Sequence, residues 1–125
     1  MLIEKEGYLI DKDNLEIHNE AVKKAKRATE EWLTEYREAN PTAEHGEPLY
    51  CGFAWVKIRP ATTSFARALK KEGIVDYVSY NGGYDVWNPA DYHGQSMDVK
   101  EVGARVYAKV LQSYGIGAYA MSRPD

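Results

Sequence analysis

Three runs of this chain set aromatic rings beside cations. "GFAWVKIRP" carries Trp55, Lys57 and Arg59 at every second position. "DYVSYNGGYDVWNP" carries Tyr77, Tyr80, Tyr84 and Trp87, with Asn88 directly after. "KEVGARVYAKV" carries Arg105 and, one helical turn on, Lys109. These types suit a flat, anionic, hydrogen-bonding ligand such as a nucleotide. A ring or a guanidinium stacks on a base and contributes about 1–3 kcal/mol per stacked base. Arg grips phosphate through its planar fork. An Asn amide both donates and accepts along an adenine edge. A plainer reading stands beside this one. Aromatic pairs across a hairpin stabilise a sheet and need do no more. Asn88 before Pro89 can begin a turn, and Arg105 can pair with Glu101 on its own helix.

Motifs for covalent chemistry are scarce. Neither G-x-x-x-x-G-K nor G-x-G-x-x-G occurs, so no glycine-rich phosphate loop is expected. His18, His45 and His93 are scattered and lack metal-ligand spacing. No paired H-x-T or H-x-S suggests a two-histidine phosphoesterase. Cys51 reads as a small packed residue in a strand. His93 near Asp91 could act as a base, and an enzyme degrading a cyclic nucleotide would use His93 or Asp98. A loop histidine is more simply read as solvated. No catalytic residue, metal or resident cofactor is expected.

Composition narrows the partners. The formal net charge is -3, from 16 basic and 19 acidic residues. A protein that binds polyanions by counterion release is usually clearly basic, so DNA and long RNA are not expected. A small phosphorylated ligand needs only a few local cations. Ten Tyr and three Trp stand against two Phe, and amphipathic rings suit surfaces and interfaces. A single cysteine allows no internal disulfide and fits a cytosolic setting. No apolar run approaches membrane-spanning length, and the start "MLIEKEGYLIDKDN" does not read as a signal peptide.

The elements that must position these residues follow from periodicity. Residues 1–15 read as a lead-in with an edge strand. A helix is expected from Asn19 to Ala39, with Ala21, Val22, Ala25, Ala28, Thr29, Trp32, Leu33 and Tyr36 forming one stripe. "LYCGFAWVKIRP" reads as a strand. Alternation puts Tyr50, Gly52, Ala54, Val56 and Ile58 on a small apolar face, and Cys51, Phe53, Trp55, Lys57 and Arg59 on the other. "TTSFARALKKEG" reads as a short helix capped by Thr63 or Ser64 and ended by Gly73. Asn81-Gly82-Gly83 signals a hairpin turn between strands near Val75–Tyr80 and Tyr84–Trp87. "SMDVKEVGARVYAKVLQSYG" reads as a second long helix. Asp98 and Glu101 are read as its capping box, and Val99, Val102, Val106 and Val110 as its buried stripe. "IGAYAMS" closes the chain as a strand. The order points to one α+β domain over residues 1–125: a small antiparallel sheet packed with two long helices and one short one.

At these residues the chain resembles the phage Thoeris anti-defence proteins of the first type. The resemblance is carried by "GFAWVKIRP", "FARALKKEG", "VWNP", "GQSMDVKEVGARVYAKVLQ" and "GIGAYAMSRPD", and covers about Gly52 to Asp125. It implies a sponge in the host bacterial cytoplasm. Such a protein captures cyclic ADP-ribose isomers made by TIR-domain defence enzymes, chiefly the glycocyclic isomer, and does not cleave them. Some members also take up cyclic oligonucleotides at a separate site, and members assemble as dimers and often hexamers. Carried over, the stacking aromatic matches Tyr80, with Tyr77 as a rival, and the hairpin asparagine matches Asn88. The helix arginine matches Arg105 and its basic neighbour Lys109. The strand cation matches Lys57 or Arg59. Arg27 or Lys24 on the first helix would approach from a neighbouring subunit. A Lys where the family has Arg turns a bidentate phosphate grip into a point-charge contact. Two other classes stay open: an inhibitor docking on a defence or host protein through its aromatic surface, and the cyclic-nucleotide hydrolase.

Overall fold

The computed structural model describes residues 2–75 and 82–125. Its elements are α+β, as expected. β1 (Leu2–Lys5) and β2 (Tyr8–Asp11) form an antiparallel hairpin. The lead-in is thus two strands rather than one edge strand. Their turn places Glu6 and Gly7 at φ 51° and 86°, the left-handed pair that a tight two-residue hairpin needs.

α1 (Asn14–Ala39) begins five residues before the expected Asn19. The cause is a cap: Asp13 Oδ1 accepts from Glu16 N at 2.8 Å. The apolar stripe also extends back to Ile17, which is fully buried. His18, Ala21, Ala25, Thr29 and Leu33 continue it.

The main sheet is β4-β3-β5, antiparallel throughout. β3 (Gly52–Ile58) is central, β4 (Tyr84–Trp87) flanks one side and β5 (Ala118–Pro124) the other. Ala54, Val56 and Ile58 are buried in one core with residues of α1, α2 (Ser64–Lys71) and α3 (Met97–Ser113). Alternation therefore named the inner face correctly from Gly52 onward. Tyr50 is exposed ahead of the strand. Of the expected strand near Val75–Tyr80, Val75 is described and buried, and residues 76–80, with Tyr77 and Tyr80, lie outside the described residues.

Two expectations for the helical end need correction. Ser96, not Asp98, caps α3: its hydroxyl accepts from Val99 N, while Glu101 accepts from Ser122 instead. The buried face of α3 is Val99, Gly103, Ala104, Tyr107, Ala108, Val110 and Leu111, with Val102 and Val106 only half-buried. Gly103 is where α3 meets Ala90 and Thr29 of α1, and such close approach selects small residues over valine. Cys51 is also not packed. It is exposed just before β3, where its backbone bridges to Ser96. Among the described residues, no helix is long and apolar enough to cross a membrane.

Candidate functional site

The residues at the end of β4 are held by backbone geometry. Asn88 adopts φ 43°, a left-handed conformation that Asn tolerates better than most residues. Its N–H donates to Ala54 O at 3.0 Å, and its carbonyl accepts from Asp91 N at 2.8 Å. Its Nδ2 donates to Tyr92 O at 2.9 Å, which fixes the amide orientation. The remaining atom, Oδ1, is buried and accepts no hydrogen bond among the described residues. An unsatisfied buried acceptor costs about 1–3 kcal/mol, so the fold keeps this one at a loss.

Asn88 lines a hollow of about 360 Å³ with Trp87, Asp85, Val86, Pro89, Ile74, Val75, and His18 and Val22 of α1. That is within the size range of small-molecule sites, about 300–1,000 Å³. His18 Nδ1 shares a 2.7 Å hydrogen bond with the Tyr107 hydroxyl. Burial pushes the His18 pKa down and the Tyr107 pKa up. Near neutral pH the neutral imidazole is therefore favoured on this wall, with the intact Tyr107 phenol buried behind it.

Asp85 connects this hollow to a second. Its Oδ1 lies 3.2 Å from Lys57 Nζ, on the cross-strand register Lys57↔Asp85. Lys57 is buried, which its place on the outer face did not suggest, and it also donates to Gly82 O. A buried cation requires such partners. Beyond it, Lys57, Arg59, Tyr119 and Met121 line a hollow of about 520 Å³. Acceptors and an indole thus lie on one side of the ion pair, and cations and a phenol on the other.

The other expected residues are placed elsewhere. Arg105 is exposed and lines a small hollow of about 100 Å³ with Glu101, Ala104, Ala120, Met121 and Ser122. Lys109 and Arg27 are exposed on α3 and α1. Neither they nor Arg105 are among the described residues lining the hollows at Asn88 and at Lys57. The structure thus groups Trp87 with Asn88, and Lys57 with Arg59, and joins the pairs through Asp85. Tyr77 and Tyr80 lie outside the described residues. Residue type alone nominates neither His18 nor Asp85 for this site. His18 stands three and seven residues before Ala21 and Ala25, a helical spacing that marks it as core-facing. Asp85 acquires its role only through strand register. Among the described residues, no group of three His, Cys, Asp or Glu could hold a metal ion. No protein-family model, curated protein or solved structure matches the chain.

Proposed function

We propose that this protein captures a small nucleotide signal of the cyclic ADP-ribose class and holds it without cleaving it, acting as a sponge against TIR-based defence in the host bacterial cytoplasm. The observation that carries this reading is Asn88 Oδ1, a pre-positioned buried acceptor in a hollow that Trp87 also lines. Such an acceptor calls for a ligand donor, and the exocyclic amine of adenine or a ribose hydroxyl supplies one. Trp87, half-exposed with Trp55 leaning on one side of its ring, leaves one face for stacking a single base. Across the Asp85–Lys57 pair, Arg59 and Lys57 provide the positive charge that a pyrophosphate needs. In this reading Arg27, Arg105 and Lys109 contribute from neighbouring copies in a homo-oligomer. Binding free energies of about -10 to -12 kcal/mol would suit signals present at nanomolar to micromolar levels, and a pre-organised site favours such values.

The test is capture and release. Purified protein is incubated with cyclic ADP-ribose isomers and cyclic oligonucleotides, freed of unbound ligand by filtration, then denatured. Recovery of intact ligand is expected, with loss of retention in Asn88→Ala and in the exposed-residue variant Arg59→Ala. Normal retention by both variants would show that the site is misplaced. Recovery of altered ligand would mean an enzyme.

A further inference from the structure

The outer face of the main sheet carries a different signal. Register places Trp87, Trp55 and Met121 in one row across the strands, with Phe53 and Arg123 in a neighbouring row. Trp87 is 50% exposed, Tyr119 53% and Met121 41%. Large apolar side chains gathered on one exposed face mark an interaction surface. The composition is that of an interface centre: Trp, Tyr, Phe and Met with Arg at the border.

The border gives the partner its chemistry. Lys57, Arg59 and Arg123 lie on this face, and Lys100 reaches over the Phe53 ring at 5.4 Å. Among the described residues, Asp85 is the carboxylate at the strand positions of this face and is engaged by the buried Lys57, and Asp125 follows Arg123 and Pro124 where its N–H meets Cys51 O, so Arg59, Lys100 and Arg123 are the border cations. A chain of formal charge -3 thus sets three cations around an exposed aromatic patch. We infer that this face docks a protein surface with an apolar centre and an acidic rim.

Two other occupants fit less well. A single-stranded nucleic acid needs successive open ring faces. Here Trp55 and Trp87 lean on each other, with centroids 4.7 Å apart, and Phe53 packs edge-on against Trp87. Lys100 and Arg123 cover the Phe53 ring. A second copy stacked face to face would bring one cationic rim against another, which electrostatic complementarity disfavours.

This inference does not rest on the nucleotide reading, and its test keeps the two apart. Labelled peptides with a Leu-Phe centre flanked by Glu, the same peptides flanked by Lys, and a short oligothymidylate are titrated by anisotropy against the full chain. The Glu-flanked peptide is expected to bind about 10-fold tighter than its Lys counterpart. Arg123→Glu, an exposed change outside both hollows, should erase that preference. Nucleotide capture by the same variant should be unaltered. Equal binding of both peptides would overturn the proposal, as would tighter binding of the oligonucleotide. Sedimentation showing a dimer that Met121→Glu dissociates would assign the face to a second copy instead.

Discussion

Glu20 accepts four hydrogen bonds at once: Lys12 at 2.6 Å, Lys5 at 3.0 Å, Lys24 at 3.1 Å and the Tyr114 hydroxyl at 2.5 Å. Partial burial pushes its carboxyl pKa up, but the bonds from Lys12, Tyr114, Lys5 and Lys24 outweigh this and hold it well below the usual range. The contribution is therefore present above about pH 4.3, the unfolded value, and is lost as pH falls through the folded one. Glu20→Gln should cost about 1–3 kcal/mol near neutral pH, because Lys5 and Lys12 lose their shared counter-charge. It should also flatten the decline of thermal stability below about pH 4. Melting curves across acid pH would check both. His18 behaves in a related way for a different reason. Desolvation lowers its folded pKa, so the unfolded chain binds the extra proton first, below about pH 6.5. Stability should fall as pH drops from 6.5 through the folded value, and His18→Gln should remove that slope. Urea midpoints at about pH 7.5 and 5.5 would show it.

Among the elements, α3 is the most exacting. A Cβ on Gly103 would lie 2.6 Å from Ala90 Cβ and 3.3 Å from Thr29 Oγ1. In an open helix Gly→Ala gains about 1 kcal/mol. Here the contact reverses the sign, and Gly103→Ala should cost about 1–3 kcal/mol, measured as a lower urea midpoint. Ser96→Ala should cost about 1 kcal/mol through the lost cap, and Asp98→Ala only about 0.5 kcal/mol through the helix dipole. These two sites show what the sequence could and could not disclose. The strand alternation of Ala54, Val56 and Ile58, an α2 cap at Thr63 or Ser64 (Thr63 in the structure) and the span of α3 were legible because each depends on near neighbours. The choice of Ser96 over Asp98, and of Gly103 and Ala104 over Val102, depends on where α1 and β5 come to lie. The same holds at the site. Trp87, Asn88, Lys57 and Arg59 could be nominated by type, but Asp85 joins them only through the register Lys57↔Asp85. His18 joins only because α1 and the end of β4 line one hollow.

At the scale of the whole molecule, a sponge and an enzyme part ways in time. A ligand that binds only the folded chain stabilises it by mass action, by about 2.7 kcal/mol at a free concentration 100 times the dissociation constant. For a domain of 125 residues each kcal/mol raises Tm by roughly 4 °C, so saturating nucleotide should raise Tm by about 10 °C. Sequestration adds a stricter condition. The shift must persist on prolonged incubation with a modest excess of ligand, because nothing consumes it. A shift that decays over hours, with products that no longer stabilise, would favour the hydrolase. A shift absent from the start, in a chain whose Glu-flanked peptide still binds, would leave the aromatic sheet face as its principal binding surface. Asn88→Ala sharpens the comparison. It removes the buried acceptor and leaves the outer face intact, so it should cancel the nucleotide shift while peptide binding continues unchanged.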